Sequence, residues 1–382
     1  MSMVFINNSM ETFTPTQSGA VATVVWEMCR AARTFGVEPL VISRRCGAHA
    51  HEWEKTIFID FPRVPVSRLA LTAFRVQRRI NGWLHIRQRE WGMRVVREIQ
   101  SRNLHLEPLV LHNDPELAIL LRRYFPRAFI VHLFHSYHPC KNRFRSLLGK
   151  TVDVIAAVSG FTARWVEEYY WLKPKTVATM HLGVDAETFY PADEPAKGPV
   201  TLSYVGRTGI EKGPDLLLAA ACSLAQRGRK FRISLIGSNH FDKFQADTFQ
   251  RKLDQLIGEL EGRGIEVWRP GHVARRNIPS EFRKSHIHVV PSRCDEAFGL
   301  TTLEGMATGL AVVASNVGGT PEVIGDAGML FARESVDGLV SHLDKLICDE
   351  ELRSSFARAA RERASEFTWM RTWETLQRLV RV

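Results

Sequence analysis

Short apolar runs alternate with amphipathic stretches along this chain, and that alternation limits the possible folds more than any other feature. In the first half the runs are VFIN (4–7), EPLVIS (38–43), PLVLHN (108–113), RAFIVHLFH (127–135) and VDVIAAVS (152–159). Between them lie stretches with helical spacing, such as AVATVVWEMCRAARTFG (20–36). Buried strands separated by helices belong in a parallel sheet covered on both faces. The pattern pauses at PADEPAKGP (191–199), whose proline, charge and small residues mark a linker. It then restarts with TLSYVG (201–206), RISLIG (232–237), GIEVWRPG (264–271), HIHVVPS (286–292) and LAVVAS (310–315).

A chain of 382 residues exceeds one ordinary core and suits two domains. The expected fold class is therefore α/β, with two Rossmann-like domains facing each other across a cleft where ligands of open sheets bind. Their expected spans are 1–195 and 196–361, with a C-terminal helix at about 362–382 packing back on the first. Trp369 and Trp373 stand four apart, on one face of that helix.

With 45% hydrophobic and 24% charged residues, the composition is that of a soluble globular protein. No apolar run approaches the ~20 residues that span a bilayer, and the first residues do not form a signal peptide. The six cysteines show no CxxC pair and no metal-ligand spacing, as expected of reduced thiols in the cytoplasm. The net charge of +10 is unevenly placed. Between Arg63 and His105 there are ten arginines against two acids, Glu90 and Glu98. Leu69, Ala73, Val76, Ile80 and Trp83 recur there at helical spacing. Two readings stand: a helix lying on an anionic membrane, or a core-facing helix with a solvated basic face. Nucleic acid is disfavoured, because no binding motif accompanies the charge.

Chemistry concentrates in PSRCDEAFGLTTLEGMATGLAVVASNVGGTPEVI (291–324), where Glu296 and Glu304 bracket Phe298-Gly299-Leu300. A strand ending near Ser292 and a helix starting near Thr301 would leave unpaired backbone N–H groups at the loop, suited to phosphate. Glu296 would stand in that loop. Glu304 would lie one turn into the helix, where a carboxylate accepts from both hydroxyls of a ribose. In SYVGRTGIEKGPDLLLAA (203–220), Arg207 and Lys212 flank a turn before a helix, a diphosphate clamp without a Walker A loop. TPTQSGAVATVVWEMCRAA (14–32) carries Gly19 before a helix, and VHLFHSYHP (131–139) ends its strand at His135. By strand parity His132 faces the other way and reads as packed. These histidines, with His112, fit no metal spacing.

Taken together, these motifs resemble glycosyltransferase family 4, enzymes of GT-B fold, over nearly the whole chain. The resemblance implies that Glu296 contacts the donor sugar, Glu304 the nucleotide ribose, and His135 the neighbourhood of the transferred sugar. Arg207 and Lys212 would neutralise the leaving nucleoside diphosphate. Gly19 would approach the donor phosphates, although the family's usual glycine pair is Ser18-Gly19 here. The donor set also takes in Phe298, Gly299, Leu300 and Thr301, and His272 and Val273 in PGHVARRNIPSEFRKS (270–285), the segment that cups the base. Leu182 replaces a common asparagine.

The function so implied is front-face retaining transfer of a sugar from a nucleotide-diphosphate donor to a glycan or lipid-linked acceptor, in cell-surface polysaccharide or glycolipid biosynthesis. No cofactor and no divalent metal are expected. The alternatives are an epimerase or phosphorylase on the same fold, or a catalytically silent sugar-nucleotide-binding protein. A Rossmann dehydrogenase is disfavoured, since no GxGxxG follows the first strand of either half.

Overall fold

The computed structural model describes residues 2–9, 13, 19–45, 55–60, 83–140, 142–194, 197–238 and 243–380. For 83–88, 142–143 and 243–247 it describes the backbone alone. The chain divides into two compact units, Met1–His181 with Trp369–Val382, and Leu182–Thr368.

The first unit holds a seven-stranded sheet in the order β3-β2-β1-β4-β5-β6-β7. Its strands are β1 (Ser2–Ile6), β2 (Glu38–Arg44), β3 (Thr56–Ile59), β4 (Leu109–His112), β5 (Ile130–Phe134), β6 (Val154–Ala157) and β7 (Ala178–Thr179). Every pairing is parallel. The core lies where Val4, Ile6, Leu109, Leu111 and Ile130 meet Trp91, Val95, Leu117 and Leu121 from the covering helices. The helix Trp369–Val380 joins this unit: Trp373 is fully buried, and Thr372 donates to the His181 carbonyl at 2.8 Å.

The second unit repeats the plan with six strands, β10-β9-β8-β11-β12-β13, again all parallel. They are β8 (Val200–Val205), β9 (Phe231–Ile236), β10 (Glu266–Gly271), β11 (Ile287–Val290), β12 (Ala311–Ser315) and β13 (Met329–Phe331). Leu202, Ile233, Val289, Ala311 and Val313 are buried against Leu217, Leu224, Leu253 and Leu343.

The division falls at 181–182, ahead of the proline-rich stretch where the sequence places it. The reason is packing within the second unit: Phe189 is buried beside the Phe282 ring at 6.3 Å, and Arg361 donates to its carbonyl at 3.1 Å. The helix Glu350–Ala364 also belongs to the second unit, so the returning helix starts at Trp369 and not near 362.

Among the described residues no helix is long and apolar enough to cross a membrane. Arg63, Arg68, Arg75, Arg78 and Arg79, with the apolar repeat from Leu69 to Ile80, lie outside the described residues. The next described element along the chain is the helix Trp83–Ser101, which buries Trp91, Val95, Val96 and Ile99 and pairs Arg94 with Glu90 at 2.8 Å.

Candidate active site

In both sheets the winding reverses beside the first strand, between β1 and β4 and again between β8 and β11. Loops leaving the carboxyl ends of strands at such a reversal diverge and open a crevice. In the second unit those two loops are 206–213 and 291–299. They carry Arg207, Lys212 and Glu296.

The loops are fastened together. Arg293 grips Asp215 through both terminal nitrogens, at 2.7 and 2.9 Å, and donates to the Ile210 carbonyl at 2.9 Å. The Arg293 and Cys294 amides both donate to the Glu211 carbonyl, at 2.9 and 3.2 Å. Burial opposes ionisation of Asp215, but its bonds from Arg293 and Lys252 prevail and hold its carboxyl below the usual range. Gly213 sits at φ +66, and a Cβ there would lie 2.0 Å from the Pro291 carbonyl oxygen. Only glycine lets the two loops come this close.

Within this frame Lys212 donates to Glu296 Oε1 at 2.6 Å, and the Ser292 hydroxyl donates to the same oxygen. Both charged side chains are largely buried, 23% and 16% exposed, so the pair is well shielded from water. The Glu296 backbone is seated on the double glycine downstream: Gly319 N–H donates to its carbonyl at 2.6 Å, and Gly318 lies directly against it at φ +59. Arg207, two-fifths to one-half exposed like its partner, pairs with Glu211 at 2.9 Å.

Helix starts differ with position. Asp114, Ser159, Ser335 and Asp349 cap their helices with side-chain oxygens on backbone amides. The two helices at the reversal, Pro214–Gln226 and Leu300–Ala307, begin on left-handed glycines, Gly213 and Gly299, and neither receives a side-chain cap among the described residues. In the second helix the amides of Leu300, Thr301 and Thr302 remain open to an anion, whereas in the first Pro214 has no N–H and the Gly213 and Leu216 amides already bond to the Ile210 and Gly213 carbonyls, at 3.1 and 2.9 Å. Gly305 seats the second helix close on the sheet, where a Cβ would meet the buried His288 ring at 2.8 Å.

The remaining expected residues vary in placement. Glu304 is buried and accepts from Arg275 at 2.6 Å, while Arg275 also lies over the Phe189 ring at 5.8 Å. Arg275 is a site residue that the sequence does not single out beside its neighbours His272 and Val273. His272 is exposed, and Val273 is half-buried. The Phe298 ring is buried, edge-on to Phe367 at 5.9 Å. Leu300 and Thr301 open the helix. Gly19 precedes its helix in extended backbone, φ −81, which any residue adopts, so no glycine-only turn exists there; Ser18 lies outside the described residues.

In the first unit, His135 follows β5 directly and its Nε2 lies 2.8 Å from His112 Nδ1. His132 is fully buried, as strand parity implies, and accepts from the Asp114 amide at 3.1 Å. Burial pushes His132 down to about 3, His135 and His288 to about 4, and His112 well below the ordinary imidazole value. Such groups stabilise the native state fully above the unfolded value of 6.5, and that stability is lost as pH falls toward 4. Asp114, raised by burial to about 7, acts in the opposite sense, because the native state keeps its proton where the unfolded chain releases it. The four histidines outweigh it in this range; Asp215, held below 3.8, adds its own loss of stability only in stronger acid. The thermal midpoint should fall as pH drops from 7 to 4.5 in scanning calorimetry; a flat or rising midpoint would contradict these assignments.

A sheet order of 3-2-1-4-5-6 in both units, with a cationic and acidic site at the reversal of the second, defines the class as GT-B. Similarity to known proteins agrees. Residues 21–188 match the model of Glycosyltransferase Family 4, and residues 186–363 match that of glycosyl transferases group 1. The chain belongs to glycosyltransferase family 4. It is 26% identical over 270 residues to a D-inositol 3-phosphate glycosyltransferase of Corynebacterium aurimucosum, covering 63% of each chain. It is 31% identical over 218 residues to one from Saccharomonospora viridis, covering 54% of this chain and 50% of that one. The chain thus spans between half and two-thirds of these relatives. The crystal structure of Anabaena HepE in complex with UDP and glucose superimposes with a TM-score of 0.72 at 15% identity, covering 98% of both chains, a likeness of fold.

Proposed function

We propose that the chain transfers a sugar, with retention, from a nucleotide-diphosphate donor to a glycan or lipid-linked acceptor in cell-surface polysaccharide or glycolipid synthesis. The observation that carries this reading is the Lys212–Glu296 pair at 2.6 Å beside the open first-turn amides of the helix Leu300–Ala307. A cation and open amides suit a diphosphate, and the adjacent carboxylate suits sugar hydroxyls. Arg207 and Lys212 take the negative charge that develops on the leaving diphosphate, as preorganised donors do elsewhere. Glu296 holds the donor sugar, Glu304 the ribose, and His135 the sugar under transfer. UDP is the first base to try, because a neighbour of the same fold was crystallised with UDP and glucose.

With these cations and helix amides neutralising the leaving group, the reaction proceeds without a divalent metal. Titration calorimetry with UDP, GDP, ADP and dTDP in excess EDTA tests this. One nucleotide should bind, and Lys212→Ala should weaken it by about 10- to 100-fold, the loss of one charge-assisted phosphate contact. Binding that appears only with a divalent cation, or that ignores the substitution, would overturn the assignment. The 63–105 arginines serve in this reading as a peripheral contact with anionic membrane at the inner face; enrichment on anionic liposomes supports it, and equal recovery from neutral ones removes it.

A further inference from the structure

All strands of the first unit run parallel, so the connections that enter β4, β5, β6 and β7 meet at one rim of the sheet, at the strand ends opposite the crevice. Contacts tie that rim together. His105, ahead of β4, stacks on Phe125, ahead of β5, with centroids 5.2 Å apart. Arg122 donates to the Ala128 carbonyl at 2.8 Å, and also to the Thr151 carbonyl at 2.7 Å and Asp153 at 2.6 Å, which lead into β6. Gly149 lies so close to Leu172, ahead of β7, that an added Cβ would stand 2.6 Å from Leu172 Cδ2. Neighbouring strands are ~4.8 Å apart, so four strand ends make a surface about 15 Å wide.

Two kinds of side chain stand out from this rim. Leu106, Trp171, Tyr124 and Leu147 are 77%, 62%, 47% and 38% exposed. Among them Arg123, Arg127, Lys150, Lys173 and Lys175 are exposed, and none of these makes an ion pair among the described residues. Of the rim's acids, Asp153 is neutralised by Arg122 at 2.6 Å, and Glu167 accepts the Val177 amide at 3.0 Å. Glu107 and Glu168 are the others, so the rim stays basic. Trp171 says most about its use. It follows the helix Gly160–Tyr169 at φ 54, the left-handed position that glycine usually fills. A bulky residue is strained there. Its ring lies over the Arg145 guanidinium at 4.4 Å and otherwise stays largely in water. The backbone alone favours glycine at this position.

We propose that this rim rests on a bilayer containing anionic lipid, with the four apolar side chains in the headgroup layer and the cations against lipid phosphates. Tryptophan, tyrosine and leucine interspersed with lysine and arginine make up surfaces that lie on membranes. A protein partner is disfavoured, because the cores of protein interfaces are depleted in charge and above all in lysine, whereas here cations separate the apolar side chains. The rim adds to the 63–105 contact proposed above and stands on residues outside that stretch.

Flotation of the full-length chain tests this, on vesicles of phosphatidylcholine alone and of phosphatidylcholine with phosphatidylglycerol in equal parts. The wild-type chain should float with the anionic vesicles; no binding, or equal binding to both, overturns the proposal. Leu106→Ser combined with Trp171→Gly should weaken binding by about tenfold, through apolar surface withdrawn from the interface. Lys150→Gln combined with Lys173→Gln should weaken it by about 30-fold, through two cations lost. The thermal midpoint of Trp171→Gly should not fall, because glycine relieves the left-handed backbone. Should that variant misfold, the lysine pair decides alone. Trp268→Ala with Lys230→Gln removes the same kinds of exposed group from the second unit and should leave binding intact; an equal loss there overturns the proposal. Binding that persists in both rim variants and is lost in Arg89→Gln with Arg97→Gln would assign the contact to the 63–105 stretch alone. Loss of heparin retention in the rim variants, with vesicle binding intact, would assign the rim to a soluble polyanion instead. Nucleotide release from donor in solution should be unchanged in the rim variants. Its absence in the wild-type chain would remove the transferase reading and leave the vesicle result standing.

Discussion

Replacing Glu296 by alanine is expected to lower donor turnover by about a hundredfold while the chain stays folded. Two losses combine. The donor sugar loses its carboxylate, and Lys212 loses the partner that holds its ammonium at 2.6 Å. A displacement of about 1 Å at a reacting centre costs on the order of 100-fold. The fold should tolerate the change because the loop is tied down by other bonds: Gly319 N–H to the Glu296 carbonyl at 2.6 Å, and Arg293 to Asp215. Circular dichroism and a thermal midpoint within a few degrees of wild type should accompany the lost activity. Near-wild-type turnover would remove Glu296 from the mechanism.

Gly318→Ala should be nearly as damaging to activity, through a residue that touches no substrate. Its Cβ would lie 2.1 Å from the Glu296 oxygen and 2.5 Å from the Glu296 nitrogen, both backbone atoms, so the Glu296 segment must move. The left-handed backbone adds a penalty of about 1–2 kcal/mol, and the overlap roughly 1–3 kcal/mol more. A fall in midpoint of roughly 5–10 °C is expected. Gly264→Ala is the control: at φ +79 it carries the backbone strain, but nothing lies within 4 Å of the added carbon. It should cost some stability and no turnover. If Gly318→Ala retains full activity, Glu296 is not held by that glycine, or its position does not matter.

Much of this was legible in the sequence because it is local. The ten apolar runs became β1, β2, β4, β5, β6 and β8 to β12, since a buried parallel strand needs a continuous apolar stretch. The strands that escaped, TIFI (56–59), the two residues 178–179 and MLF (329–331), are all at sheet edges and too short to carry a period. The motif glycines were readable for the same local reason. Gly213, Gly299 and Gly318 all take positive φ beside the site. Partners distant in sequence were not readable. Nothing in GHVARRN says that Arg275 reaches Glu304, and nothing in PSRCD says that Arg293 clasps Asp215. Those pairings exist only once β10 and β11 are in register with β9 and β8. Nor does Phe-Gly-Leu show by itself that the fold buries the Phe298 ring and leaves Gly299 to open the helix.

Donor-dependent nucleotide release is the most direct measurement of the central claim. UDP-, GDP-, ADP- and dTDP-sugars are supplied in turn to the wild-type chain, to Glu296→Ala and to Arg207→Ala, and free nucleoside diphosphate is measured over time. One donor is predicted to be consumed by the wild-type protein, and its consumption to be lost in both variants. Release continuing at the wild-type rate in both would contradict a donor site built on these residues.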